Sequence, residues 1–581
     1  MNCASGSGPG PENQDGTTGS SLEDANARPA EPWRICCVNV SPAIRRALQD
    51  QGHHVLPLNP EPGQTLHIPL ELDRAGFHAQ ALLQQELLRD RVLLTGLGEL
   101  DCPKAFWSVD PHLNAYWQCC YARLFDLIFS TQQRWIPDLQ RAGARRVVWL
   151  PWYATPTPWT SWARRDVPLA FVGRVTAQRD VRARFIRTLS TRFDSRFIHA
   201  EDLTAQAMDQ LYARTCIVPN ESILGEVNFR LFEAIRRGCL VIGPDLGPEQ
   251  ARLFEPGREM LCFRHAADLL ARTEEMLRRP DQAESIARAG WQRLCSAHGP
   301  GHRARTLVHA LQNLSTNKEY KAATGVQADI WLAATACQMH RGGRLHGEAR
   351  TFFPLLGHAR APSWIQALHL RMLAEYGAAS ELGKALARHA AHGDPADLET
   401  NAAASLAALR TGQHNTARAL RLRWERTTGE RHSQPCASPQ EMARRWASTF
   451  RKAGQVMNPG FSFDEQSHVP ASAMECLALA LAFAPHDLGL TRQMEALLRD
   501  QPGYELHRVG LLSTLSLHAR TDWRLGLELG LTNLRAFRFR AALEELLLAR
   551  QQAEAQGATQ RFDAALAGRD PDGQIHALLR D

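Results

Sequence analysis

The chain has 581 residues, more than one hydrophobic core usually organises, and this length predicts about four domain-sized units. Hydrophobic residues make up 44% and charged residues 22%, a balance that excludes a chain disordered throughout. The net charge of +6, from 67 basic and 61 acidic residues, is small for this length and does not indicate a dedicated nucleic-acid-binding protein.

The first segment, residues 1–32, is rich in Gly, Pro, Ser and acidic residues. It lacks the basic start and apolar core of a signal peptide, so it is predicted to be a disordered leader. No later apolar run approaches the ~20 residues that a membrane helix needs, so no transmembrane segment is predicted. The 13 cysteines lack zinc-type spacing, and we expect reduced thiols, no metal site and a cytoplasmic location.

Residues 33–156 alternate apolar runs with amphipathic stretches, as a Rossmann-like domain does. The predicted strands of its parallel sheet are RICCVNV, HVLPLN, RVLLTGL, KAFWSVD, DLIFST and RRVVWLPW. Gly96 and Gly98 in TGLGEL are not followed by a third glycine, so the fingerprint of a dinucleotide cofactor is incomplete.

Residues 157–316 begin at a segment rich in Pro, Trp and Thr and then repeat this alternation. The predicted strands are PLAFVGRV, SRFIHA, CIVPNES and CLVIGPD, and LTAQAMDQLYAR, FRLFEAIRRG and ADLLARTEEMLRR are predicted helices. The fold class is therefore predicted as α/β with two Rossmann-like domains. Ligands of such open sheets bind outside the carboxyl ends of the strands, so we expect a ligand between the two domains.

Residues 317–581 are rich in Ala and Leu and predict an α-helical region. Small residues fall where two antiparallel helices would approach, as in Gly412 with Ala417 and Ala536 with Ala541. This pattern resembles tetratricopeptide repeats, although the regular register of roughly 34 residues is missing. An irregular helical domain is the alternative, and a longer connection is predicted between residues 427 and 470.

Two groups of polar residues in the second domain suit a phosphorylated sugar ligand. The first group, Gly173, Arg174 and Arg179, follows a predicted strand and reaches a predicted helix start, which suits a diphosphate. The alternative is that its arginines are ordinary solvated surface residues.

The second group begins at Asn220, where a strand ends, and continues through a polar loop with Glu226 and Asn228. Arg230 and Glu233 follow on one face of the next helix, where a carboxylate could hold sugar or ribose hydroxyls. Spacing alone is equally consistent with a surface ion pair between Arg230 and Glu233, which would contribute little.

The order and spacing of several runs resemble the donor-binding half of the GT-B glycosyltransferases of group 1, in particular the branch of spore-maturation protein B (CgeB). These runs are FVGR with a later Arg, LYARTCIVPNE, VNFRLFEAIRRGCLVIG and LFEPGREMLCF. The resemblance extends more loosely to LQDQGHHVLPL and FWSVDPHLN, covers roughly residues 34–315 and excludes the helical region. It implies a nucleotide-sugar donor as the substrate, without a separate cofactor.

The resemblance also implies roles for individual residues. Three of them match the segment that contacts the donor diphosphate: Gly173, Arg174 and Arg179. Glu233 matches the glutamate that holds the donor ribose, and Arg230 matches an arginine found three places earlier in this branch. Group 1 enzymes commonly have a second glutamate eight residues before the first, a position that is Gly225 here. Either the loop brings the neighbouring Glu226 to the sugar, or this carboxylate is absent.

In the first domain, Asp110 and His112 of SVDPHLN follow a predicted strand at the expected edge of the cleft. They are candidates for acceptor binding, and the imidazole could deprotonate an acceptor hydroxyl. The alternative is that Asp110 caps a turn through its side chain and that His112 is exposed.

The sequence therefore predicts a glycosyltransferase that moves a sugar from a nucleotide-sugar donor to a protein or surface-glycan acceptor, with the helical region contributing to acceptor binding. The resemblance implies a retaining reaction, in which arginines rather than a required metal stabilise the leaving phosphate. Two alternatives stay open: a catalytically degenerate transferase fold that acts as a binding scaffold, and a nucleotide-sugar epimerase.

Overall fold

The computed structural model describes residues 31–61, 63–87, 91–141, 143–144, 146–176, 179–315, 322–432, 436 and 438–580. All but the last two residues of the predicted leader lie outside these ranges. The strands in the described ranges are β1 (Arg34–Val38), β2 (His54–Leu58), β3 (Thr65–His67), β4 (Ala81–Gln85), β5 (Leu93–Thr95), β6 (Lys104–Ser108), β7 (Leu127–Ser130), β8 (Val147–Trp149), β9 (Val167–Val172), β10 (Phe197–Ala200), β11 (Thr215–Pro219), β12 (Leu240–Pro244) and β13 (Leu261–Phe263).

The α-helices that accompany these strands within the same ranges are α1 (Pro42–Asp50), α2 (Ile68–Arg74), α3 (Pro111–Tyr121), α4 (Ile136–Arg141), α5 (Asp180–Phe193), α6 (Ala205–Arg214), α7 (Phe229–Arg236), α8 (Pro248–Leu253), α9 (Ala266–Arg278), α10 (Pro280–Ala297) and α11 (Pro300–Ser315). The described part of the chain then continues with α12 (Gly325–Arg341), α13 (Phe353–Leu356), α14 (Ser363–Tyr376), α15 (Ala379–His392), α16 (Leu398–Arg410), α17 (His414–Thr428), α18 (Pro439–Lys452), α19 (Ala473–Phe483), α20 (Leu488–Leu498), α21 (Glu505–His518), α22 (Trp523–Arg535), α23 (Phe539–Ala555), α24 (Thr559–Ala567) and α25 (Gln574–Leu578).

Two parallel sheets confirm the predicted fold class. The first has the order β2-β1-β4-β6-β7-β8 and the second the order β10-β9-β11-β12-β13. In each sheet the second strand along the chain pairs with one side of the first strand, and the later strands pair on its other side. The strand order therefore reverses between β1 and β4 and between β9 and β11, and these two places are the topological switch points. Two Rossmann-like domains are therefore followed by a helical region.

One strand predicted for the first sheet belongs to a different sheet, and one strand of the first sheet was not predicted. The run RVLLTGL forms β5, which pairs with β3 in a separate two-stranded sheet. The strand that pairs with β1 on the side away from β2 is β4. Its sequence, ALLQQ, contains two glutamines and is therefore less apolar than is typical of a buried strand. These glutamines are satisfied internally, because Gln84 Nε2 donates to the Val92 carbonyl at 2.8 Å and Gln85 Oε1 accepts from Ser41 N–H at 3.0 Å.

The domains share cores with one another and with the helical region. Leu307 and Leu311 of α11, the last helix of the second domain along the chain, pack with Ile44 of α1 in the first domain. On the other face of the first sheet, Trp117 of α3 and Ile330 of α12 belong to one buried cluster. The helical region therefore continues the core of the first domain.

The connection predicted between residues 427 and 470 is only partly correct, because it contains the amphipathic helix α18. The segment after α18 packs on α3: the Pro459 carbonyl accepts from Tyr116 N–H at 3.2 Å, and the Phe461 ring lies 5.6 Å from the Tyr116 ring. In the described part of the chain, no helix combines the length and the apolar composition needed to cross a bilayer.

Phe537 joins the helical region to the second domain. Its ring lies 5.2 Å from the Phe185 ring and 6.1 Å from the Phe263 ring, and only 7% of the residue is exposed. Its φ of +54° is in the left-handed region, which a bulky aromatic residue rarely adopts. Packing of this ring therefore stabilises an unfavourable backbone conformation.

We expect Phe537→Ala to lower the free energy of unfolding by about 3 kcal/mol, the lower end for loss of a buried phenyl ring. Denaturant unfolding of the full chain measures this change. Leu517→Ala, at a side chain that is 65% exposed, is the control and should change stability by less than about 0.5 kcal/mol. Equal stability of the two variants would show that the ring does not anchor the helical region.

Candidate functional site

The two Rossmann-like domains meet at the carboxyl ends of their strands. Gln132, just after β7, exchanges two hydrogen bonds of 2.9 Å with the backbone N–H and carbonyl of Val227, just before α7. Glu249 of α8 accepts from the N–H groups of Gln133 and Arg134 at 2.8 and 2.9 Å. These contacts set one domain against the other across the cleft in which open α/β sheets bind ligands.

Arg230 holds the switch point of the second sheet together. Its Nε donates to the Val172 carbonyl at 2.8 Å, and its Nη1 donates to Asn220 Oδ1 at 2.8 Å. The guanidinium also lies over the Phe171 ring, 4.2 Å from the centroid. Gly173 leaves room for the guanidinium, because a Cβ there would come within 2.7 Å of Arg230 Nη2. The hydrogen bonds of the Arg230 guanidinium are thus used to join the ends of β9 and β11.

Glu233, one turn further along α7, has a carboxylate that is free to bind a ligand. It forms no side-chain hydrogen bond or ion pair with any residue that the structure describes, so the predicted alternative of a surface pair with Arg230 is wrong. Burial raises the pKa of Glu233 to about 7, although the Arg230 and Arg236 charges act in the opposite direction. Glu233 is only partly buried, and a partly desolvated carboxylate without a protein partner is stabilised when a ligand donates hydrogen bonds to it.

The two predicted diphosphate arginines differ in their surroundings. Arg174 is exposed and forms an ion pair with Asp202, after β10. Arg179 lies at the N-terminus of α5 and has no ion pair within the described ranges. Burial, and then Arg182, lower the pKa of Arg179, while the charges of Glu221, Glu226 and Asp110 raise it. Arg179 therefore faces the cleft, where a helix N-terminus adds to its attraction for anions.

The polar loop between β11 and α7 is ordered by its own side chains. Asn220 Nδ2 donates to Asn228 Oδ1 at 3.2 Å, and Asn228 Nδ2 donates to the Glu221 carbonyl at 2.7 Å. The Glu226 carboxylate accepts from the N–H of Leu224 at 2.8 Å and from Ser222 Oγ at 2.9 Å. Burial acts to raise the pKa of Glu226, but the nearby His112 and backbone N–H groups outweigh it and lower this pKa. Glu226 is thus charged, and part of its capacity to accept hydrogen bonds is used by its own loop.

The missing glutamate at position 225 has a structural explanation. Gly225 has a φ of +78°, and a Cβ on it would come within 2.5 Å of Pro502 Cγ in the helical region. The opposing Gly503 is equally close, since a Cβ there would meet the Ile223 carbonyl oxygen at 2.4 Å. A glutamate at position 225 is therefore excluded by the way in which the helical region packs on this loop.

His112 is buried at the start of α3, which contradicts the alternative prediction that it is exposed. Only 3% of the residue is exposed, and its Nδ1 has no hydrogen-bond partner in the described part of the chain. The Asp110 side chain makes no capping hydrogen bond to α3, so the capping alternative is wrong as well. Burial raises the pKa of Asp110, the His112 charge lowers it and the Glu226 charge raises it. Asp110 and His112 therefore lie across the cleft from Glu226 and Arg179.

Two features of this site escaped prediction. Glu86 follows β4 and accepts from the N–H groups of Val109 and Asp110 at 2.8 and 3.1 Å, so it holds the turn that leads to His112. Burial, followed by the Asp110 charge, raises the pKa of Glu86 to about 7. The second feature is a buried ion pair of 2.7 Å between Arg182 and Glu221, beneath Arg179. The position of Glu86 at the end of β4 could have revealed it, had that strand been recognised.

A cavity of about 390 Å³ lies beside this cleft, between the second sheet and the helical region. Its walls include Ser222 and Asp245, which follow β11 and β12, and Arg508 and Arg535 from α21 and α22. The predicted donor residues do not line it, so it is a neighbouring space that shares the loop of Glu226. Among the described residues, no group of three His, Cys, Asp or Glu side chains is placed to hold a metal ion.

Several solved structures are similar to this chain. A glycosyltransferase from Rickettsia africae ESF-5 has 11% identity and a TM-score of 0.36, and the match covers 50% of this chain and 100% of that one. HepE from Anabaena, solved with UDP and glucose, has 12% identity and a TM-score of 0.34, with 48% and 100% covered. A sucrose-phosphate synthase from Thermosynechococcus elongatus has 12% identity and a TM-score of 0.37, with 49% and 99% covered.

Comparison with curated proteins gives no match. The second Rossmann-like domain, by contrast, matches a known protein family over residues 162–309, a range that contains Gly173, Arg179, Arg230 and Glu233. That family is described as glycosyl transferase-like, and residues 162–309 are the part of the chain that is similar to it.

Proposed function

We propose that the protein is a glycosyltransferase that moves a sugar from a nucleotide-sugar donor to a protein or surface-glycan acceptor. The observation that carries this proposal is the unpartnered, partly buried carboxylate of Glu233, beside the switch point of a glycosyl transferase-like domain. Hydroxyl groups of the donor ribose would supply the hydrogen bonds that this carboxylate lacks. HepE, a similar structure, was solved with UDP and glucose, which supports a nucleotide sugar as the first ligand to test.

In the proposed mechanism, the bond between the anomeric carbon and the donor diphosphate breaks as negative charge develops on the leaving phosphate. Arg179 and the N-terminus of α5 stabilise this charge from fixed positions, and such preorganised stabilisation is usually the main source of rate enhancement in an active site. The charge stabilisation comes from protein groups, so no metal is required. Across the cleft, His112 and Asp110 receive the acceptor hydroxyl, and we propose that the sugar is transferred with retention of its anomeric configuration.

The experiment is a thermal-shift screen of nucleotide sugars, followed by transfer and hydrolysis assays with those that bind. A donor at a hundred times its dissociation constant stabilises the fold by ~2.7 kcal/mol, which a thermal shift detects. We expect Arg179→Ala to weaken donor binding about 10-fold, as loss of one charge-assisted hydrogen bond does. Arg187→Ala, at an exposed arginine of the same helix α5, should leave binding unchanged.

The contact between Gly225 and Pro502 favours a second candidate, a degenerate transferase fold that acts as a binding scaffold. This contact excludes a glutamate at position 225, which group 1 enzymes commonly have. The neighbouring Glu226 does not replace it freely, because its carboxylate already accepts a hydrogen bond from the Leu224 N–H of its own loop. A wild-type protein that neither binds nor turns over any nucleotide sugar would support this scaffold and exclude the enzyme. Interconversion of a free donor without an acceptor would instead identify an epimerase.

A further inference from the structure

A basic groove lies in the helical region, away from the cleft between the Rossmann-like domains. It has a volume of about 340 Å³ and is formed by α18, α19 and α20. Its three cations, Arg444, Arg451 and Lys452, all come from α18. Their spacing of seven and eight residues corresponds to two helical turns, so the three side chains share one face of the helix.

The rest of the groove is apolar or uncharged. Leu477 of α19 and Leu497 of α20 lie beneath it with only 3% and 9% of each residue exposed, and Gln493 adds a polar group. None of the described residues that line the groove is acidic. The lining of the groove is therefore positively charged, which suits a ligand that carries carboxylates.

The acidic residues near the groove compensate only part of this charge. Arg444 pairs with Glu441 of its own helix, with Nε and Oε2 2.6 Å apart, and Lys452 Nζ lies 3.3 Å from Glu430 Oε1. Both carboxylates lie outside the groove lining. Arg451 is exposed and has no ion pair or side-chain hydrogen bond within the described ranges. The Arg451 guanidinium is thus available to an anionic partner.

We propose that this groove docks an acidic polypeptide segment. Its carboxylates would pair with Arg451 and Lys452, and Gln493 could bond the peptide backbone. That this segment belongs to the acceptor rests on the proposed function, whereas the docking itself does not.

Fluorescence polarisation tests this proposal with the full-length protein and a labelled synthetic peptide of alternating Glu and Leu. The matched peptide carries Gln in place of every Glu. We expect the acidic peptide to bind about 10-fold or more tightly than its Gln counterpart at low ionic strength, and the difference to shrink as salt is added. The double variant Arg451→Glu with Lys452→Glu should abolish the difference, and Arg540→Glu, at a remote arginine that is 94% exposed, should retain it.

Equal affinities for the two peptides, or an acidic peptide that binds the double variant as tightly as the wild type, would overturn the proposal. Binding of heparin without binding of the acidic peptide would also overturn it and assign the groove to an anionic glycan. All measurements are made without a nucleotide sugar. A protein without transferase activity can therefore still confirm the groove, and an active transferase can still refute it.

Discussion

Glu233→Gln should weaken the binding of the nucleotide-sugar donor by about 10- to 100-fold, the range that loss of hydrogen bonds to a charged group produces. The wild-type carboxylate offers two acceptor oxygens and has no protein partner among the described residues. An amide offers one acceptor oxygen and presents a donor in place of the other. Isothermal titration calorimetry with the best-binding donor measures this loss, and Glu465→Gln, at an exposed residue of the helical region, is the control.

The same variant should remove a pH dependence of donor binding. Burial raises the pKa of Glu233 to about 7, so the side chain is mostly protonated at pH 6 and mostly charged at pH 8. Two ribose hydroxyls donate best to the charged form, and wild-type affinity should therefore rise from pH 6 to pH 8, whereas that of Glu233→Gln should stay nearly constant. A wild-type affinity that falls over this range would contradict the role of Glu233 as an acceptor.

Stability should change with pH in the opposite direction. A glutamate in the unfolded chain has a pKa of about 4.3, so between that pH and about 7 the folded state holds a proton that the unfolded state has released. The stabilisation linked to this proton is complete below the unfolded pKa and is lost as the pH rises through about 7. Glu233→Gln should therefore gain stability relative to the wild type above pH 7, which separates lost binding from lost folding.

The order of the elements could be predicted from the sequence because the buried parallel strands are short apolar runs between amphipathic helices. The prediction failed where burial depends on pairing of polar groups. Gln84 and Gln85 lie in a fully buried strand only because a distant carbonyl and a distant N–H group satisfy them. The sequence around β4 does not show these hydrogen-bond partners, so neither β4 nor the adjoining Glu86 was predicted.

Interactions between distant parts of the chain also decide the roles of the predicted site residues. Spacing places Arg230 and Glu233 on one helix face but cannot show that the ends of β9 and β11 engage the arginine and leave the carboxylate free. The absence of a glutamate at position 225 is visible in the sequence, but its reason is not. Pro502 lies far along the chain and closes against Gly225 only in the folded structure.

His112→Asn should lower the rate of transfer to the acceptor by about 100-fold, the lower end of what a positioned general base contributes. His112 is buried at the start of α3, its Nδ1 lacks a protein partner in the described part of the chain, and it faces Glu226 across the cleft. Asparagine keeps a hydrogen-bonding group in this position but cannot accept the proton of an acceptor hydroxyl.

Donor affinity should not change in His112→Asn, because the residues proposed to bind the donor lie in the second domain. Steady-state transfer kinetics and donor calorimetry on the same preparation therefore separate the two steps: kcat falls while the donor Kd stays constant. His54→Asn, at an exposed histidine of β2 in the same domain, is the matched control and should leave kcat unchanged. If His112→Asn retains wild-type kcat, the imidazole only fills space at the start of α3. If donor affinity falls together with kcat, His112 acts through the arrangement of the two domains instead of through the acceptor.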